Sequence, residues 1–145
     1  MEFPITGIGT ATPKLYLTQD RVLEHFMVDN TLSADEKSLY ARILSGGEIK
    51  GRHIGADSID EFLVTNHDRL IGRFSRHGVS IAVEAAHRAM DDAGVSAKDI
   101  RALIVNTCTG YLCPGLSSYV AEGLGLRNDI RIRDIMGMGC GAAIP

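Results

Sequence analysis

The sequence has no tryptophan, and only four phenylalanines and four tyrosines among its 145 residues. A core built from it must rest on aliphatic side chains. Long apolar runs are missing as well. The longest aliphatic run, Ala102-Leu103-Ile104-Val105, falls far short of the roughly 20 residues that a membrane-spanning helix needs. The opening residues Met1-Glu2-Phe3-Pro4-Ile5 lack the basic stretch and apolar segment of a secretory signal. Positive charge is in deficit, with 15 Lys and Arg against 18 Asp and Glu, a net charge of −3 and a pI near 5.9. A nucleic-acid or anionic-membrane surface would need a basic surplus, so neither partner is expected. Cysteine is sparse: three cannot all pair with one another, and no Asn-x-Ser/Thr sequon occurs. The chain reads as one for a reducing, cytoplasmic setting, where a cysteine is a buried hydrophobe or a reactive group.

What is present is an ordinary globular composition, 45% hydrophobic and 23% charged, at the length of one domain. Ile5-Thr6-Gly7-Ile8-Gly9-Thr10 reads as a first strand that ends at Pro13. Its two glycines lack the third glycine of a dinucleotide loop, and Pro13 would break the helix such a loop must open. Thr18 is placed to cap a helix running to about Val28. Ser33-Ala34-Asp35-Glu36 is a capping box for a second helix, which Gly46-Gly47 stops. Residues 45–65 read as loop. Val79, Val83, Ala86 and Met90 recur at helical spacing within a long helix from about Asp68 to Ala93, closed by Gly94-Val95. The stretch Ile100 to Asn106, aliphatic rather than alternating through Ala102–Val105, predicts a strand covered on both faces, as in a parallel sheet. A helix follows over about Leu116–Leu124, then a strand over Ile130–Met136. The order β-α-α-α-β-α-β argues for an α/β fold with a mainly parallel sheet.

The last residues, Gly137-Met138-Gly139-Cys140-Gly141-Ala142-Ala143-Ile144-Pro145, have the pattern of a strand-to-helix turn presenting a nucleophile. Free N–H groups and the dipole at a helix N-terminus favour the thiolate and pull a thiol's pKa below its ordinary value. Gly139 and Gly141 leave room for an acyl group, and a backbone N–H could hold its oxyanion. The same residues also describe a small core cysteine at a tight turn. A helix that ends after one turn cannot bury a face, so the expectation is the front part of a longer protein. Cys108 and Cys113 lack the partners for a zinc site and the spacing of a redox pair. Their default reading is buried thiols lining a loop. His53 reads equally as an exposed, a satisfied or a site residue, and no histidine stands out as a general base.

Cys108-Thr109-Gly110-Tyr111-Leu112-Cys113-Pro114-Gly115 resembles the Cys-Thr-Gly-x-x-x-Pro-Gly segment of bacterial type III polyketide synthases. These are relatives of chalcone synthase and, more distantly, of ketoacyl synthase III. Gly123-Leu124-Gly125-Leu126-Arg127 and the turn at Cys140 continue the likeness. Ile8–Pro13 and Ile49-Lys50-Gly51-Arg52-His53 are similar to the family's opening turn and its Ile-x-x-Arg-aromatic segment. The resemblance implies the first half of a thiolase-like fold, a mainly parallel mixed sheet covered by helices, over residues 1–145 and ending just after the nucleophile turn. It implies an acyltransferase without a cofactor, whose substrates are coenzyme A thioesters. Cys140 would accept a starter acyl group and malonyl-CoA would extend it by decarboxylative condensation. Cys108 and Thr109 match positions beside the nucleophile. Cys113 matches a position that reaches across a homodimer interface, where the family often has methionine. Arg42 falls where relatives bind a coenzyme A phosphate, although Leu39 and Gly46 stand at that cluster's other basic positions. The family's catalytic histidine and asparagine lie beyond Pro145, in the same or a second chain. Two other readings compete: a ketoacyl synthase III-like enzyme making one extension, and a non-catalytic half that only binds a partner half.

Overall fold

The computed structural model describes residues 4–137. Its elements run β1 (Leu15–Thr18), α1 (Gln19–Val28), α2 (Ala34–Ser45), β2 (Gly51–Ile54), α3 (Ile59–Phe62), α4 (His67–Ala93), β3 (Ala102–Thr107), α5 (Leu116–Gly123) and β4 (Arg131–Met136). Pro13–Leu63 form one compact unit, and the rest of the described chain forms another.

In the Pro13–Leu63 unit, β1 and β2 pair antiparallel, with Leu15 opposite Ile54 and Thr18 opposite Gly51. β1 was not expected, and β2 and the short α3 fall within residues 45–65, which read as loop. Four-residue elements are too short for a period to show. His53 is resolved by its partners: its Nδ1–H donates to the Pro13 carbonyl at 2.7 Å and its ring tilts against Tyr16 across the strand pair. That bond puts the proton on Nδ1 and ties β2 to the chain just before β1. Both helix caps match the sequence. Thr18 accepts from the Arg21 amide. Ser33 accepts from the Glu36 amide, and Glu36 accepts from the Ser33 amide and hydroxyl at 2.8 and 2.7 Å. The two helices meet through stacked rings of Phe26 and Tyr40, and Lys37 Nζ donates to the Met27 carbonyl at 2.9 Å.

In the other unit, β3 and β4 pair parallel, with Ala102 opposite Arg131 and Thr107 opposite Met136. The helices α4 and α5 pack on one face of this pair. Met90, Leu116, Val120 and Leu124 are the buried centre, joined by Val79, Val83, Ala86, Leu103 and Val105. The small and aliphatic stripe of α4 thus does what its spacing implies. Helix α4 continues through Gly78 and stops at Gly94, whose left-handed φ of 66° lets the Val95 amide reach the Met90 carbonyl.

Two expectations need correcting here. Ile5–Thr10 is not a strand. It runs extended along α4, where the Ile8 amide donates to Asp92 at 3.0 Å and the Arg88 guanidinium donates to the Thr10 carbonyl at 2.7 Å. A strand needs a neighbouring backbone, and this segment's polar groups go to side chains. Its alternation comes instead from Gly7 and Gly9, which press on the α4 backbone; a Cβ at Gly9 would stand 2.9 Å from the Arg88 carbonyl carbon and closer still to Ala85. The second correction concerns β3, which is covered on one face only among the described residues. Its exposure alternates along the strand, and Ile104 is 61% exposed. Ala-Leu-Ile-Val carries no polar residue to mark which face is open, so the run alone could not distinguish the two cases.

Two outcomes follow. Replacing Gly9 with valine should cost about 1–3 kcal/mol by overpacking, and limited proteolysis should then cut the 4–12 segment earlier. The Ser33 amide and then its hydroxyl hold the Glu36 carboxyl below its ordinary value. That contribution is present above the unfolded carboxyl's pKa and is lost as pH falls through the lower folded one. Thermal melts of Glu36→Gln should therefore show a shallower acid-side loss of Tm than wild type, with Asp29, Asp99 and Asp129, also held low, leaving a residual slope.

Candidate functional site

The segment Cys108–Gly115 joins β3 to α5 at the C-terminal end of the parallel strands, the end where open α/β sheets place their ligand crevices. It starts in a hydroxyl-braced turn: Thr107 Oγ1 donates to the Thr109 carbonyl at 2.9 Å and accepts from the Thr109 amide at 3.2 Å. It ends with a cis Cys113–Pro114 peptide. Gly115 then caps α5 without a side chain to offer. The Gly137 amide donates to the Thr107 carbonyl at 3.3 Å, tying the exit of β4 to the root of this loop.

Between the loop and β4 lies a recess of about 240 Å³. Phe74, Leu112, Leu116 and Met136 make its apolar walls, and Cys113 and Asp134 are its thiol and carboxylate. An apolar recess of this size accepts a short chain or a small ring. A larger recess, of about 340 Å³, opens near Arg101, Arg127 and Arg131, where β3 and β4 begin. It holds none of the residues expected to carry chemistry. The carboxyls with shifted ionisation lie away from both the loop and the 240 Å³ recess. Asp29 is held low by the Thr31 hydroxyl and amide, Asp99 by the Ser96 hydroxyl and amide, and Asp129 by its bond to the Arg127 guanidinium.

The structure brings together some of the expected residues. Cys113 lines the recess, while Cys108 and Thr109 sit exposed at the loop's start. Cys108 and Cys113 are both free and exposed, which corrects the expectation of buried thiols: the loop lies over the strand ends and its small side chains face outward. Arg42 is exposed in the last turn of α2, within the Pro13–Leu63 unit. Cys140 lies outside the described residues. Sequence reasoning overlooked Asp134, Ser117 and Phe74. The available signal was the lone carboxylate in the strand Ile130–Met136. Its partner is Ser117, only 1% exposed, whose amide donates to Asp134 Oδ1 at 2.9 Å and whose hydroxyl donates to Oδ2.

Known proteins resemble the chain over most of its length. The alpha-pyrone synthesis polyketide synthase-like protein Pks18 of Mycobacterium tuberculosis is 30% identical, with 97% of this chain and 37% of that protein covered. The 3,5-dihydroxyphenylacetyl-CoA synthase of Streptomyces toyocaensis is 29% identical, with 97% and 35% covered. Among solved structures, the fungal type III polyketide synthase ORAS superposes with a TM-score of 0.78 at 30% identity, over 94% of this chain and 37% of that one. The chain thus spans little more than a third of the relatives it matches, and its fold is the first part of their thiolase-like architecture. The family model for FAE1/Type III polyketide synthase-like proteins matches residues 10–144, nearly the whole chain, and the chain belongs to that family.

Proposed function

We propose that this chain is the acyl-loading part of a type III polyketide synthase, with Cys140 as its nucleophile. The observation that carries the reading is the apolar recess between the Cys108–Gly115 loop and β4, at the end of the strand that leads to Cys140 in sequence. In sequence, Cys140 follows the last described residue, Gly137, by three positions. In the loading step the Cys140 thiolate attacks the carbonyl carbon of a starter acyl-CoA. The new C–S bond forms, the old one breaks, and coenzyme A leaves as the thiolate.

Condensation then follows in the complete enzyme. Malonyl-CoA loses carbon dioxide, its enolate carbon attacks the Cys140 thioester, and the Cys140 thiolate is released as leaving group. The histidine and asparagine that the family resemblance assigns to this step are not among residues 1–145. The chain's own residues therefore account for loading, and residues 1–145 alone should not condense malonyl-CoA. Cys113 and the exposed Tyr111 beside it would meet the partner subunit of a homodimer. Arg42 is the weaker element of the reading, as one candidate for a coenzyme A phosphate. Free, exposed thiols suit the reducing cytoplasm, where acyl-CoA is available. No helix among the described residues is long and apolar enough to cross a membrane.

Incubating the complete protein with acyl-CoA and measuring intact mass should show one added acyl group on Cys140, absent in Cys140→Ala; an adduct that survives this substitution would sink the assignment. Filling the recess through Cys113→Phe should lower loading by long starters about tenfold relative to acetyl-CoA, because the lost space must be vacated at a cost of a kcal/mol or more. Equal loading by both starters in that variant would remove the recess from the starter site.

A further inference from the structure

We propose that Asp134 is a positioning residue: its carboxylate clamps the start of α5 and so sets the Cys108–Gly115 loop against β4. Asp134 lies on β4 opposite Val105, with Ile132 and Ile135 close by on its own strand. Asp134 is half-buried there, and a carboxylate that has lost part of its water is stabilised by hydrogen-bond donors in its place. Ser117 supplies two, its backbone amide and its hydroxyl. The amide is one of the unpaired donors that every helix leaves in its first turn. Gly115, at the cap position, has no side chain to satisfy it, and Asp134 does so from another element.

Gly115 is part of the same device. A Cβ there would stand 2.6 Å from the Asp134 carboxyl carbon and nearer to its oxygen. Any larger residue at 115 would push the carboxylate out of the cap. The contact therefore requires three residues at once: glycine to admit the carboxylate, aspartate to reach the helix, and serine to offer both donors. The clamped segment carries Cys113, and Asp134 and Cys113 both line the recess. A loop held at one end by Gly137–Thr107 and at the other by Ser117–Asp134 keeps the recess walls in register. Positioning of this kind matters because small displacements near a reacting centre cost large factors in rate. That consequence for rate rests on the loading reading above; the clamp itself does not.

Hydrogen exchange of the full chain separates the two. Asp134→Ala should raise exchange across residues 108–118 about tenfold, with the second half of α4 unchanged, since local opening and global unfolding are distinct. Asp134→Asn should remain close to wild type, because its amide oxygen still accepts from the Ser117 amide and its NH2 can donate to the Ser117 hydroxyl. Gly115→Ala should copy Asp134→Ala, and adding it to Asp134→Ala should change exchange by less than about twofold, because both remove the same interaction. Unchanged exchange in Asp134→Ala, a rise spread equally over α4, or additive effects of the two substitutions would overturn the clamp. If Asp134→Ala does not fold, Ser117→Ala decides: loosening confined to 108–118 supports the clamp, and none refutes it. In the complete enzyme, Asp134→Ala should lower the loading rate at saturating acyl-CoA while half-saturation stays constant. Undiminished loading would deny Asp134 its positioning role, whereas a wild type that never loads would refute the functional reading and leave exchange to judge the clamp.

Discussion

The half-buried carboxylate of Asp134 is met by two donors from one serine, and the region around the recess is arranged around that contact. Ser117 is almost wholly buried yet carries a hydroxyl and a first-turn amide. Both go to Asp134 on the neighbouring strand. One polar contact thereby joins β4, α5 and the preceding loop, three pieces that aliphatic packing alone would leave free to slide. Dispersion and burial around Val120 hold α5 down, but they are not directional. Hydrogen bonds to a fixed carboxylate are directional, and they set the helix's position along the strand.

The rest of that unit supplies the platform. Helix α4 offers a small and aliphatic stripe on which α5, β3 and the extended 4–12 segment all lie. Close approach is possible because Gly7 and Gly9 carry no Cβ toward the α4 backbone. The opposite face of the β3–β4 pair carries Ile104 and stays open among the described residues. A parallel pair is stable when both faces are covered. Covering one face with helices and leaving Ile104 open on the other fits a chain that matches little more than a third of its relatives' length.

Much of this was legible before any coordinates. Capping chemistry is local, so Thr18, Ser33 with Glu36, and Gly94 marked their helix ends correctly. The period of α4 showed its buried face. The Cys108–Gly115 segment was legible as a family pattern, and the family match bears out the family it points to. The antiparallel pair of β1 and β2 was not legible, since each strand is four residues long and is defined by its partner. Ile5–Thr10 was misread for the converse reason: it has a strand's alternation but no strand beside it. The exposure of Cys108 and Cys113 depends on how the loop lies over the strand ends, which no spacing encodes.

Local chemistry, therefore, was settled by the order of residues alone: where helices begin and stop, and which stripe of α4 is apolar. Those properties depend on neighbours within one or two turns. Tertiary structure alone decided that Asp134 meets Ser117 across 17 residues of sequence, that Cys113 borders a recess, and that β3 buries one face. Each of these depends on which distant atoms arrive at the same place. A residue's type limits the partners it can accept, but only the folded chain brings the partner to it.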